Sequence, residues 1–341
     1  MLFYYSLFTW FVFGSITKNR LFKILTLIIL IIFVGLRYEV GADWGNYLVI
    51  YEVLLGSDLK TSLVRTDPAY GLLNYIAANL NYDIWFVNLV CAIIFYLSLD
   101  YFSKNTRNYW IALLVAFPYL ILSVSMGFTR QSVAIGLGMV AITHLFKNNK
   151  YAFLIWIFLA LLFHKSALLL LIFTPYAFNI KLTGFKNVLY FVSFIIVLLI
   201  LMSKLSSQEN LYFTDEVSSA GALARMIIHA PSVGIYLLYR NRLKKIYNEK
   251  ITVLDALLAL IIIFFFISFV YSTFADRFNL YFYIFDMLVL TSITLFFNRT
   301  NYFVYLSGVI LFEFILMVVW LNYSPWAQCC WIPYQNYLWI N

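Results

Sequence analysis

Apolar stretches of helix length alternate with short polar loops along the whole chain. Such runs lie near 1–16, 21–36, 84–102, 109–126, 130–146, 151–163, 166–178, 187–203, 222–239, 251–271, 277–297 and 302–321. A helix crosses a bilayer with about 20 apolar residues, fewer where it faces protein instead of lipid. The pattern therefore predicts an all-α, polytopic membrane protein of about 12 spans, with 1–341 forming a single transmembrane domain. The first run has no basic region before it and no small-residue cleavage site after it, so it reads as a span and not as a removable leader. No internal repeat is visible, which argues against a repeat-built transporter.

The polar loops fall into two chemical classes that alternate. One is basic: Lys18, Arg20 and Lys23; Lys104 and Arg107; Lys147 and Lys150; Lys181 and Lys186; Arg240, Arg242, Lys244, Lys245 and Lys250; and Arg299. These are 15 of the 23 basic residues, and Glu249 is the acid among them. The positive-inside rule makes these loops cytoplasmic. The acidic and aromatic class (37–83, 204–221, 272–276 and 322–341) is then extracytoplasmic, and both termini lie outside. Keeping this alternation requires 151–178 to be a hairpin of two short helices with His164 and Lys165 at its outer tip. A single long helix there would reverse everything that follows.

The large outer loop 37–83 carries its own helical signals. Tyr47, Ile50, Tyr51 and Leu54 recur at helical spacing, as in a short amphipathic helix at the interface. Asp67 and Pro68 are an N-cap carboxylate and a first-turn proline, opening a second short helix over 70–80.

Composition and charge narrow the function. Only 11% of residues are charged and 64% are apolar, against about 25% charged in soluble domains, so lipid must face most of the surface. The net charge of +8 sits in the short cytoplasmic loops, which makes it a topology signal and argues against a nucleic-acid partner. Cys91, Cys329 and Cys330 form no framework of disulfides. Walker, nucleophile-elbow, dinucleotide and metal-ligand signatures are missing, so no cofactor and no metal site is expected.

Eight basic residues remain on the outer half, and four of them, Arg37, Arg130, Arg225 and Arg277, sit at or just inside span ends. A guanidinium is always charged and its fork of donors matches phosphate oxygens in pairs, so these four are candidates to bind a diphosphate. His164, at the hairpin tip, is a candidate general base at neutral pH, with Glu39 or Asp43 as substitutes. Glu39, Asp43, Trp44 and Tyr47 bring carboxylates and aromatic faces that suit sugar hydroxyls and pyranose C–H surfaces. Asp286 and Glu313 lie near mid-span, as proton-coupling groups or as hydrogen-bonding ones.

These residues resemble a known family. The stretch Arg37–Trp44 resembles the opening motif of the EpsG family, Phe128–Ala134 its Arg-Gln helix start, and Phe163–Leu168 its His turn. Asp276–Phe278 and Trp331–Tyr334 are similar to later family segments, and Asp67–Tyr70 to one that usually carries Glu-Pro. The resemblance covers most of the chain and implies a Wzy-type O-antigen, capsule or exopolysaccharide polymerase of the bacterial inner membrane. Its architecture would be that of the GT-C-like glycan polymerases and ligases. The implied reaction joins undecaprenyl-diphosphate-linked repeat units, with a chain-length regulator and a flippase as further partners. On the family pattern, Arg130 and Arg277 hold the diphosphate, with Arg37 and Arg225 less securely matched, and His164 stands near the acceptor. Asp67 and Tyr334 join the glycan-holding set. The alternatives are an O-antigen ligase, which shares the donor, and a lipid-linked-glycan flippase. The flippase would need polar groups through both leaflets, whereas the cations here cluster at one face.

Overall fold

The structure is a computed structural model that describes residues 1–17, 19–180, 184–205, 219 and 221–340. Lys18, Lys181, the Lys204 side chain and most of the loop 204–221 lie outside the described residues. Within them every regular element is a helix, and the one extended pairing is an isolated bridge between Arg37 and Asn336.

Each of the twelve apolar runs contains helix. Among the described residues six helices qualify by length and apolarity to cross a membrane: Ile84–Asn105, Tyr109–Gly127, Phe185–Met202, Ala222–Ile267, Ser272–Phe296 and Arg299–Tyr323. The Ala222–Ile267 run holds two of the predicted segments, as Ala230–Tyr247 and Ile251–Ile267. Four of the described helices that enter from the basic loops start on asparagine. Asn19, Asn108, Asn149 and Asn298 each accept a backbone N–H of the first turn, satisfying a donor that has no intrahelical partner.

Burial separates the centre from the rim. Tyr109–Gly127 is wholly buried and Ser272–Phe296 is 89% buried, whereas Phe185–Met202 and Arg299–Tyr323 bury only 22% and 28%. The last two therefore present their apolar faces to lipid. In the central helix, Phe117–Val124 widens into π-helical turns that begin beside Pro118, which has no N–H to give. The indole of Trp331 donates to the Leu122 carbonyl there at 2.9 Å.

The segment after residue 150 folds as the charge pattern requires. Helix Lys150–Phe163 stops at His164, whose backbone is extended, and Lys165–Phe173 continues as a 3-10 helix. The Lys150 ammonium lies 5.0 Å from the Phe178 ring, so the two ends meet and His164 is the tip of a hairpin.

The outer loop contains three short helices, Trp44–Leu54, Leu59–Arg65 and Pro68–Asn79, the middle one beyond the sequence reading. Its signal was Asp58, whose side chain accepts from Thr61 N. Helix Pro68–Asn79 begins at the proline as expected, but the Asp67 carboxylate does not cap it. It points instead to Arg130, because an ion pair with a half-buried guanidinium is worth more than a cap. The C-terminal tail threads under this loop. Gly41 donates to the Cys330 carbonyl, Tyr38 to Gln335 and Tyr337 to Leu36. A side chain at Gly41 (φ 113°) would collide with the Met126 carbonyl, so only glycine fits. Cys329 and Cys330 are bonded to each other, which the sequence reading did not anticipate.

Candidate functional site

Four distant stretches of chain meet in a cavity of about 150 Å³. Asp43, Asn46, Tyr47 and Ile50 come from the first outer helix, Phe128, Arg130 and Gln131 from the start of Thr129–Phe146, His164 from the hairpin tip, and Arg277 from Ser272–Asn279. The structure thus brings together Asp43, Tyr47, Arg130, His164 and Arg277 out of the predicted set.

The two arginines are held by groups that aim them. Arg130 Nη1 donates to Asp67 Oδ2 at 2.8 Å and to Thr66 Oγ1 at 3.3 Å. Its guanidinium lies 5.8 Å from the Tyr47 ring and 5.9 Å from the Tyr70 ring, while Nε is buried without a partner. Arg277 lies 5.0 Å over the Phe128 ring, and its Nη1 reaches Gln131 Oε1 at 3.5 Å. The Gln131 amide in turn donates to the Arg277 carbonyl at 2.6 Å. Gln131 is therefore the brace between the two arginine-bearing helices.

His164 is set by Ser166. The Ser166 backbone N–H donates to His164 Nδ1 at 3.2 Å, and the Ser166 hydroxyl sits 2.7 Å from the same nitrogen. A backbone N–H can only donate, so Nδ1 accepts and the proton of the neutral ring resides on Nε2. Gln131 Nε2 at 3.4 Å and the Tyr281 hydroxyl at 3.0 Å can both donate to Ser166 Oγ, which frees its own hydrogen for Nδ1. Burial first, then the neighbouring charges of Arg130, Arg277 and Lys165, hold the imidazole pKa well below its ordinary value. His164 is thus held as a neutral ring with its N–H on Nε2.

The other predicted residues stand elsewhere. Arg37 is 1% exposed, and its fork donates to the Val40 and Val34 carbonyls at 3.0 and 2.8 Å, to Asn88 Oδ1 at 3.3 Å and to Thr129 Oγ1 at 2.8 Å. It fastens the outer loop to two spans and does not line the cavity. Arg225 grips Asp276 fork to fork, at 2.5 and 2.8 Å, so Asp276 pairs with it and not with its own neighbour Arg277. Glu39 is exposed in a left-handed backbone conformation (φ 51°). Trp44 packs against Tyr38 and near Arg37. Tyr334 is buried, stacked 4.2 Å from Phe33, with its hydroxyl on the Phe33 carbonyl at 2.7 Å. Its place is in the packing of the tail.

Asp286 and Glu313 are both buried. Asp286 Oδ2 lies 2.5 Å from His229 Nδ1, while His229 Nε2 faces Asn279 Oδ1 at 2.8 Å. No group of three or more His, Cys, Asp or Glu that could hold a metal occurs among the described residues.

Gln131, Ser166, Asn46 and Tyr281 escaped the sequence reading as functional residues. Gln131 and Ser166 each lie within two residues of a candidate already singled out, which was the available signal.

The model of the EpsG family matches residues 20–336, nearly the whole chain. No curated protein and no solved structure matches it.

Proposed function

Because the chain belongs to the EpsG family, a family of Wzy-like polysaccharide polymerases, we propose that it joins undecaprenyl-diphosphate-linked repeat units at the outer face of the bacterial inner membrane. The observation that carries this reading is the convergence of Arg130, Arg277, His164 and Asp43 on one cavity at the outer-loop end of the bundle. Two guanidiniums and a neutral N–H suit an anionic donor. The start of an 18-residue helix at Phe128 adds the positive end of its dipole.

In the reaction, an acceptor hydroxyl attacks the anomeric carbon of the donor glycan. The bond between that carbon and the diphosphate oxygen breaks, and the polyprenyl diphosphate leaves with the electron pair. Arg130 and Arg277 neutralise the charge that grows on the leaving oxygens, and His164 Nε2–H donates to one of them. The acceptor proton goes to Asp43, the carboxylate lining the cavity, whose side chain accepts one hydrogen bond among the described residues, a 3.3 Å contact from Asn46. Tyr47 offers the face on which a sugar ring stacks. Twelve crossings, both termini outside and the basic loops inside complete the arrangement.

Profiling the surface glycan of a deletion strain tests it. Glycans of a single repeat unit support a polymerase, and core left entirely uncapped refutes it in favour of a ligase or flippase. Cysteines at Ser57 and Ser324 should react with an impermeant reagent in whole cells, and one at Asn248 should not.

A further inference from the structure

Helix Thr129–Phe146 has 18 residues and so is about 27 Å long, close to the hydrocarbon thickness of a bilayer. Its first turn borders the cavity just described. Past its other end, Phe146 and Asn148 border a second cavity, of about 1120 Å³, at the opposite face of the bundle. Arg107, Arg240, Lys244 and Lys250 line it, with Glu249 as the carboxylate among its lining residues. Asp255 already holds Arg240 through two contacts of 2.7 Å. Three cations, Arg107, Lys244 and Lys250, therefore face one carboxylate.

The basin continues into an apolar cleft. Helices Phe185–Leu205 and Ile251–Ile267 enclose a slot of about 300 Å³ walled by Val188, Phe191, Val192, Ala256, Ala259 and Ile263. Basin and slot share Tyr176 and Thr252, and Asp255 lines the slot while its partner Arg240 lines the basin. From Thr252 to Ile263 the helix rises about 16 Å, roughly the depth of one leaflet. At the slot's mouth Asn187 Oδ1 is buried with no hydrogen-bond partner among the described residues, an acceptor open to a hydroxyl.

We propose that this basin and slot form a binding site for one anionic glycerophospholipid of the cytoplasmic leaflet. The phosphate sits among Arg107, Lys244 and Lys250, a headgroup hydroxyl donates to Asn187, and an acyl chain fills the slot. Charge complementarity selects the anion, and the depth of the slot selects a lipid over a soluble phosphate. The assignment to the cytoplasmic leaflet rests on the basic-loop topology; the binding chemistry is independent of the polymerase reading.

The test uses the full-length protein, purified and delipidated in detergent. Binding of short-chain phosphatidylglycerol, phosphatidylcholine and inorganic phosphate is measured by native mass spectrometry. Phosphatidylglycerol should bind saturably at one site, phosphatidylcholine more weakly, and inorganic phosphate should not displace the lipid. Lys244→Gln with Lys250→Gln should weaken phosphatidylglycerol by about 10- to 30-fold. Ala259→Trp should abolish it by filling the slot while keeping every cation, and either variant should melt like the parent when no lipid is present. Equal binding of the two phospholipids, or full binding in both variants, overturns the proposal. Displacement by phosphate alone overturns it too, in favour of a soluble-anion site.

Discussion

The two cavities at the ends of Thr129–Phe146 use similar side chains and hold them in opposite ways. In the smaller one, Arg130 is fixed by Asp67, Arg277 is braced by Gln131, and His164 is locked by Ser166. In the larger one, Arg107 and Lys244 stand exposed on flexible stems. Donors fixed before a ligand arrives cost no reorganisation when charge develops, which is what catalysis needs. Exposed cations adapt to a headgroup but cannot direct a reaction. Counting positive charges would not separate these sites, but the partners of each charge do.

The largest effect should come from an arginine that belongs to neither cavity. Arg37→Ala removes four buried hydrogen bonds and strands their acceptors, at a cost of about 3 kcal/mol or more. The variant should accumulate poorly in membranes and melt far below the parent in detergent. A stable Arg37→Ala protein that fails only in polymerisation would move Arg37 into the site and blur the contrast between braced and structural arginines.

Next in size is Arg277→Ala, which should keep the fold and lose turnover by about 100-fold or more, the usual cost of removing one fixed donor at a developing anion. Arg277→Lys should restore little, because a point charge cannot both reach Gln131 and present a planar fork. In-vitro turnover of lipid-linked units measures it. Near-normal rates in the alanine variant would leave the cavity as a mere surface pit.

How much of this was legible in the sequence depends on the kind of residue. The alternation of basic and acidic loops predicted the hairpin at His164, because a one-helix reading would have put Arg240 to Lys250 on the wrong side. Tyr47, Ile50, Tyr51 and Leu54 gave the first outer helix from spacing alone. The arginines could not be ranked that way, because a guanidinium fork fits backbone carbonyls, as in Arg37, as well as phosphate. Tyr334 reads as a sugar platform from its motif, yet an aromatic near an outer edge stacks equally well on Phe33. Helix Thr129–Phe146 is not among the six described helices long and apolar enough to cross a membrane, because Arg130 and Gln131, which line the cavity, and His144 lower its mean hydropathy. Gln131 and Ser166 fell inside stretches already singled out, but amides and hydroxyls are common, and only their partners show what each one does.

A smaller effect should follow from Ser166→Ala. His164 keeps the backbone N–H on Nδ1 but loses the hydroxyl, so one of two restraints on its tautomer remains. One hydrogen bond of about 1 kcal/mol corresponds to a rate loss of about fivefold. The pH profile is the sharper readout. Protonation would place the ring's second hydrogen on Nδ1, against the Ser166 N–H, and unseat the ring. Because burial depresses its pKa, the parent rate should stay flat as pH falls through the ordinary imidazole range and drop only below it. Removing a donor from Nδ1 makes that nitrogen more basic, so in Ser166→Ala the acid limb should move up towards the ordinary value. A loss of rate with an unmoved profile would mean that Ser166 serves packing alone.

The smallest expected effect is that of a chelator. Magnesium sites typically take one or two carboxylates, waters and substrate phosphate, so Asp43 beside a diphosphate would meet the minimum. The same cavity already brings Arg130 and Arg277 to that diphosphate, and two further positive charges would repel a divalent ion arriving between them. If Asp43 takes the acceptor proton, it must also be unligated when the hydroxyl arrives. Purified protein in excess chelator should therefore polymerise lipid-linked units within about twofold of its normal rate, a difference below 0.5 kcal/mol in the barrier. A large loss restored by magnesium or manganese would reassign Asp43 from proton acceptor to metal ligand. It would also turn the braced arginines from the main counter-charge into second partners of the metal, and the contrast between the two cavities would then need a cation on one side.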